Sequence, residues 1–262
     1  MYTLTASIGW FNCDFYDIPA EAAKRGFKAI EVLGWKDKDL PRLKKACDDA
    51  GIVISAINFG SNDPAKQEMI AWTHGIVHDD AREALLGAIE ESIAAAKILD
   101  VKRIVVTSGN EIPDVPRETQ HASLVCNLRE AAKLAEAAGC MLVLEPLNRL
   151  ISHKGHYLNT TAEAVAIVRE VNSPALTVLY DVFHQQITEG NVINNIRDNI
   201  QYIGHIHIGD VPGRKQPGTG EINYPNVFKA IAETGYSDFV VFECGITEDV
   251  DTVCEKMWAM QP

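Results

Sequence analysis

The sequence contains no stretch approaching the ~18 consecutive apolar residues of a membrane-spanning helix, which excludes a chain threaded through a bilayer by helices. Its first residues, Met1-Tyr2-Thr3-Leu4-Thr5, lack a basic segment followed by an apolar one, so the protein is expected to be soluble and unprocessed. Cysteine is sparse: Cys13, Cys47, Cys126, Cys140, Cys244 and Cys254 are scattered, with no CxxC pair. In a chain of 262 residues that spacing reads as reduced thiols and a cytoplasmic location. Positive charge is in deficit, with 24 Lys plus Arg against 36 Asp plus Glu and a net charge of −12. Such a surface repels phosphate backbones and anionic lipid, so neither nucleic acid nor membrane is expected as a partner. There is no Ser/Gly-rich linker, charge block or low-complexity tract, and residues 1–262 are expected to form one domain.

What the sequence does have is alternation. Eight short apolar or β-branched runs stand at Leu4–Gly9, Ala29–Leu33, Val53–Phe59, Arg103–Thr107, Met141–Leu147, Thr177–Val182, Ile203–Ile208 and Phe239–Cys244. Between and after them lie helix-like segments at Ala20–Arg25, Leu40–Ala50, Ala81–Leu99, Ser123–Ala138, Ala162–Val171, Ile193–Asn199, Val227–Glu233 and near Val250–Met260. Eight strand–helix units predict an α/β fold, a closed (β/α)8 TIM barrel. One stretch, from Gly60 to about Asp80, is longer than the usual ~2–6 residues of a strand–helix joint. It holds Trp72 and His74, and reads equally as a lid or as a surface excursion with a short helix of its own.

Barrel enzymes place their chemistry where the strands end. Four successive runs end in a potential ligand: Glu145, Asp181, His207 and Glu243. Each shares a strand face with the residue two before it, namely Val143, Leu179, His205 and Val241, so all four can point inward together. Any one acid alone would more simply cap a helix or pair with a base. Three carboxylates at one mouth, however, repel and lose solvation unless a cation sits among them, which implies a divalent metal. Three oxygen donors, one imidazole and no thiolate favour a hard ion, Mn²⁺ first, with Mg²⁺ or Co²⁺ as alternatives and no organic cofactor. His184, three residues past Asp181, and Arg214, in the loop after His207, are candidates for substrate binding. His205, one layer deeper, reads as a satisfied interior histidine, and His153 and His156 as residues that could reach a substrate from their loop.

At these positions the sequence resembles the hydroxypyruvate isomerase family, within the xylose-isomerase-like sugar isomerases and epimerases. The resemblance is carried by Leu144-Glu145-Pro146-Leu147-Asn148, Leu179-Tyr180-Asp181-Val182-Phe183-His184, Gly204-His205-Ile206-His207-Ile208 and Phe242-Glu243. Pro212-Gly213-Arg214 and Pro217-Gly218-Thr219-Gly220-Glu221-Ile222-Asn223-Tyr224 extend it. It implies that Glu145 and Glu243 are proton donor and acceptor as well as ligands, that Asp181 and His207 complete the coordination, and that His184 and Arg214 bind substrate. The expected substrate is a small hydroxycarbonyl acid or sugar, hydroxypyruvate first, isomerised through an enediolate to tartronate semialdehyde. A 2-oxo-tetronate isomerase or a ketose 3-epimerase is the alternative, although those epimerases often carry an acid near position 151, where this chain has Ile151. The family usually has a basic residue before the glycine of the lid, where this chain has His74 before Gly75. By the same resemblance the protein is expected to be a homodimer or tetramer. A nuclease for apurinic sites needs a basic groove that this acidic chain lacks, and a metal-free sugar-binding barrel would leave the clustered acids without a purpose.

Overall fold

The structure is a computed structural model and describes residues 1–71 and 73–262, so Trp72 lies outside the described residues. Strand β1 (Thr3–Ser7) leads through helix α1 (Ile18–Lys24) to β2 (Ala29–Glu31), and α2 (Leu40–Ala50) leads to β3 (Val53–Ile54) and β4 (Ile57–Asn58). Helices α3 (Pro64–Ile70) and α4 (Arg82–Leu99) precede β5 (Arg103–Thr107), and α5 (Arg117–Ala137) precedes β6 (Met141–Glu145). After α6 (Thr161–Val171) come β7 (Leu176–Asp181), α7 (Val182–Thr188), α8 (Val192–Asn199) and β8 (Ile203–Ile208). Helix α9 (Tyr224–Glu233), β9 (Phe239–Phe242) and α10 (Val250–Ala259) complete the order.

All strand pairings are parallel, in the order β3-β2-β1-β9-β8-β7-β6-β5-β4. The third apolar run of the sequence, expected as one strand, is two short ones. β3 pairs with β2 and β4 with β5, so a single segment bonds to both of its neighbours. Ser55 donates its N–H to Ile30 O at 2.9 Å and Phe59 to Val105 O at 2.9 Å. That double duty closes the sheet into the barrel that the alternation predicted.

Alternation decides which side chains look inward. Ala56, Val105, Val143 and Leu179 form a small cluster inside the barrel, apart from the larger core between sheet and helices. Along β6 the inward set is Met141, Val143 and Glu145, which delivers an acid to the carboxyl-terminal rim directly above that apolar cluster.

Two helices begin where the sequence pattern gave no sign. Helix α5 starts at Arg117, not near Ser123, because its first turn, Arg117-Glu118-Thr119-Gln120, has no apolar residue to show a period. Helix α7 is missing from the expected helices, and its first residue, Val182, is the expected end of the sixth strand. Instead Asp181 ends β7 and caps α7, accepting the Phe183 N–H at 2.8 Å. The long stretch after Gly60 contains α3, opened by Asp63, whose side chain accepts from the N–H groups of Ala65 and Lys66.

Candidate active site

The four rim residues predicted to meet do meet. One donor atom from each of Glu145, Asp181, His207 and Glu243 lies within 4.8 Å of the others. Glu145 and Asp181 are the last residues of β6 and β7, His207 is next to last in β8, and Glu243 stands one residue beyond β9. His207 Nδ1 lies 2.6 Å from Glu243 Oε2 and 3.9 Å from Glu145 Oε1. Glu145 Oε1 is buried and has no hydrogen-bond partner among the described residues.

Arg214 enters the same point. It donates from Nη2 to Asp181 Oδ2 at 2.9 Å and to Glu243 Oε2 at 2.8 Å, with its guanidinium 4.9 Å from the centre of the Phe183 ring. It is no solvated loop charge. The loop that carries it is built on Asp210, whose fully buried carboxylate accepts the N–H groups of Val211, Gly218, Gly220 and Ile222. Gly220 has to be glycine, because a Cβ there would stand 2.0 Å from Val211 O and 2.6 Å from Asp210 Oδ1.

His184 sits in the first turn of α7, wholly buried. Its Nδ1 accepts the Asn148 N–H at 3.1 Å, so the neutral ring carries its proton on Nε2, which lies 3.5 Å from Asp181 Oδ2. Burial lowers the His184 pKa to about 4, so at neutral pH it is an uncharged donor aimed at the cavity. His153 also lines the cavity, its ring 5.3 Å from that of His184. His156 does not line it; the ring is buried against Ser108 Oγ at 3.1 Å.

The cavity measures about 310 Å³ and opens at the rim. Helix α3 forms part of its wall through Gln67 and Ile70, so the long excursion has a short helix of its own, and that helix borders the cavity. Gln67 Oε1 already accepts from Lys36 Nζ and the Ser61 N–H, which leaves the Gln67 amide N–H2 to face a ligand.

The electrostatics are lopsided. Burial, then the Glu243 and Asp181 carboxylates, push Glu145 well above the usual carboxylate range. Burial acts on Glu243 as well, but His207 and Arg214 beside it win and hold it at about 2. An orphaned buried oxygen and three converging carboxylates with one imidazole fit a hard divalent ion, and no thiolate joins the cluster.

Two features escaped the sequence reading. Glu31, at the end of β2, is a buried acid inside an apolar run, which was the available signal; it contacts both His205 and His207. Asp210 gave no sign beyond its place after His207-Ile208-Gly209. A third grouping, His74, His78 and Asp80, also brings donor atoms within 4.8 Å. There the two rings stack face to face, centroids 3.7 Å apart at 21°, so their in-plane lone pairs run side by side and do not converge.

Comparison with known proteins gives the family. Hydroxypyruvate isomerase of Escherichia coli strain K12 is 32% identical over 87% of this chain and 86% of its own. A 2-oxo-tetronate isomerase of Cupriavidus necator is 33% identical over 86% and 85%. Among solved structures, one titled AP endonuclease, family 2, from Brucella melitensis superposes with a TM-score of 0.88 at 25% identity, covering 100% of both chains. L-ribulose 3-epimerase superposes with a TM-score of 0.77 at 29% identity, covering 99% of this chain and 86% of that one. The xylose isomerase-like TIM barrel family model matches residues 19–256, and the chain belongs to that family.

Proposed function

We propose that the chain is a metal-dependent isomerase of a small hydroxycarbonyl acid, hydroxypyruvate first, with Glu145, Asp181, His207 and Glu243 as the ligands of one Mn²⁺. The observation that supports it most is the convergence of those four donors on a point where Glu145 Oε1 is buried without a partner. When bound, the ion supplies Lewis acidity that loosens the C–H between a carbonyl and its neighbouring hydroxyl. Everything else falls to the protein.

Glu145 on β6 and Glu243 beyond β9 flank the two other ligand strands, so they approach the cavity from opposite sides. One takes a proton from C3 of hydroxypyruvate and the other returns one to C2, while the hydroxyl proton passes from O3 to O2, giving tartronate semialdehyde. His184 Nε2–H and Arg214 hold substrate oxygens, the guanidinium being suited to a carboxylate. The cavity of about 310 Å³ has room for such molecules and not for a duplex, and the net charge of −12 opposes one. Six cysteines, all free, fit a reducing cytoplasm.

Returning the proton to the opposite face of the same carbon would epimerise a ketose, and the 29% identity to L-ribulose 3-epimerase supports keeping that outcome in the test. Mn²⁺-loaded protein should be incubated in D2O with hydroxypyruvate, 2-oxo-tetronates and C4–C6 ketoses, and the deuterium located by NMR. Label at C2 of tartronate semialdehyde is the expected result. Label at C3 of a ketose alone would replace isomerase by epimerase, and no exchange with any member would refute both.

A further inference from the structure

Beneath the four rim donors lies a polar cluster that the proton transfer does not use. Glu31 is 4% exposed. Its Oε2 lies 2.7 Å from His205 Nε2 and accepts from Ser55 Oγ at 3.0 Å. Its Oε1 lies 2.7 Å from His207 Nε2, though not along the ring N–H direction. A fourth buried carboxylate next to Glu145, Asp181 and Glu243 costs solvation energy and adds repulsion, so its place in the barrel calls for a compensating role.

The geometry points to Glu31 as a positioning residue for the metal site: its Oε1, 2.7 Å from His207 Nε2, is the acceptor toward which that N–H turns when Nδ1 faces Glu145, Asp181 and Glu243. This inference rests on the metal reading above. An imidazole that binds an ion through Nδ1 has to keep its proton on Nε2 and needs an acceptor there. Glu31 Oε1 is the oxygen within 2.7 Å of that atom. His205 and Ser55 hold the other oxygen of the same carboxylate, which keeps it from rotating away. Glutamate is needed in particular because both rings present Nε2 to it. A glutamine offers one acceptor and one N–H2, so one of the rings would have to face a donor and give up its tautomer. The split of the third strand is part of the same device: Ser55 sits at the break between β3 and β4 and points its hydroxyl at Glu31.

The test is Mn²⁺ binding, followed by the loss of the free-ion EPR signal, in wild type, Glu31→Gln and His205→Gln, each with circular dichroism and thermal unfolding in the absence of metal. Glu31→Gln is expected to weaken Mn²⁺ binding about 10- to 100-fold, the usual effect of removing such a partner. His205→Gln, whose amide N–H2 replaces the imidazole as donor to Glu31 Oε2 while Ser55 holds the same oxygen, is expected to change it by less than about 3-fold. A folded Glu31→Gln protein that binds Mn²⁺ like wild type overturns the inference. Wild type that takes up no Mn²⁺ overturns the metal reading instead, so the two failures are distinct. If Glu31→Gln does not fold, Glu31→Asp, which keeps the charge but withdraws the oxygens from His207 Nε2, takes its place in the Mn²⁺ titration: weakened binding supports the role, and wild-type binding by the folded variant overturns it.

Discussion

Among the described residues three groups of side chains bring metal-capable atoms within 4.8 Å, and two of them, the four rim donors and the His74 loop, differ in almost every other respect. Glu145, Asp181, His207 and Glu243 come from four strand ends, point at a common centre, and are backed by Glu31 and Arg214. His74, His78 and Asp80 come from one short loop, lie half-buried to exposed, and stack ring on ring. Water screens the second group, so a lone aspartate beside two imidazoles costs little and gains little from an ion. The first group is shut away from water, where three carboxylates cannot stay together cheaply. Proximity is common in proteins; convergence under burial is what marks a site.

The sharpest way to break that contrast is to remove a proposed proton carrier. Glu145→Gln or Glu243→Gln is expected to lower turnover by about 10²- to 10⁴-fold with unchanged circular dichroism. A near-wild-type rate with metal bound would dismantle the two-acid scheme. Next comes stoichiometry. Elemental analysis should find about one Mn²⁺ per chain, falling toward zero in His207→Ala or Asp181→Asn, whereas His74→Ala with His78→Ala should leave it untouched. If the double variant lost an ion, the loop would have to be counted as a site.

A smaller effect concerns the loop under Arg214. Gly220→Ala drives a Cβ to within 2.0 Å of Val211 O and should destabilise the protein by about 1–3 kcal/mol in urea titrations. Relief by an unstrained shift, seen as unchanged stability, would show that Asp210 does not hold the loop tightly. Buried and exposed histidines should part company in acid as well. Burial holds His156 at about 3, below its ordinary 6.5, so the unfolded chain binds a proton there first. Stability from this group is therefore full above pH 6.5 and is lost as the pH falls toward 3. Between pH 7 and 5 the loss should be on the order of 1–2 kcal/mol, and His156→Gln should flatten that part of the curve. His78→Ala, at the half-buried loop cluster, should change the free energy of unfolding by less than about 0.5 kcal/mol.

Much of the site was legible because a parallel barrel turns sequence order into spatial order. Glu145, Asp181, His207 and Glu243 each end an apolar run, and alternation in steps of two brings them to one face. Glu31 was harder to read, since an acid within Ala29–Leu33 has the same appearance whether it faces a histidine or a helix. Its meaning depends on β2 and β8, far apart in sequence, facing each other across the barrel interior.

By itself the sequence determined the eight-fold alternation, the ends of most helices and the four rim donors, because hydrophobic period and strand alternation are local properties. Only the folded chain decided that the third strand would divide to close the barrel, that α7 would start on Asp181, and that Arg214 would turn inward on Asp210. Those outcomes depend on backbone hydrogen bonds and buried charges between segments distant in sequence, and no local pattern records which partner a buried group will find.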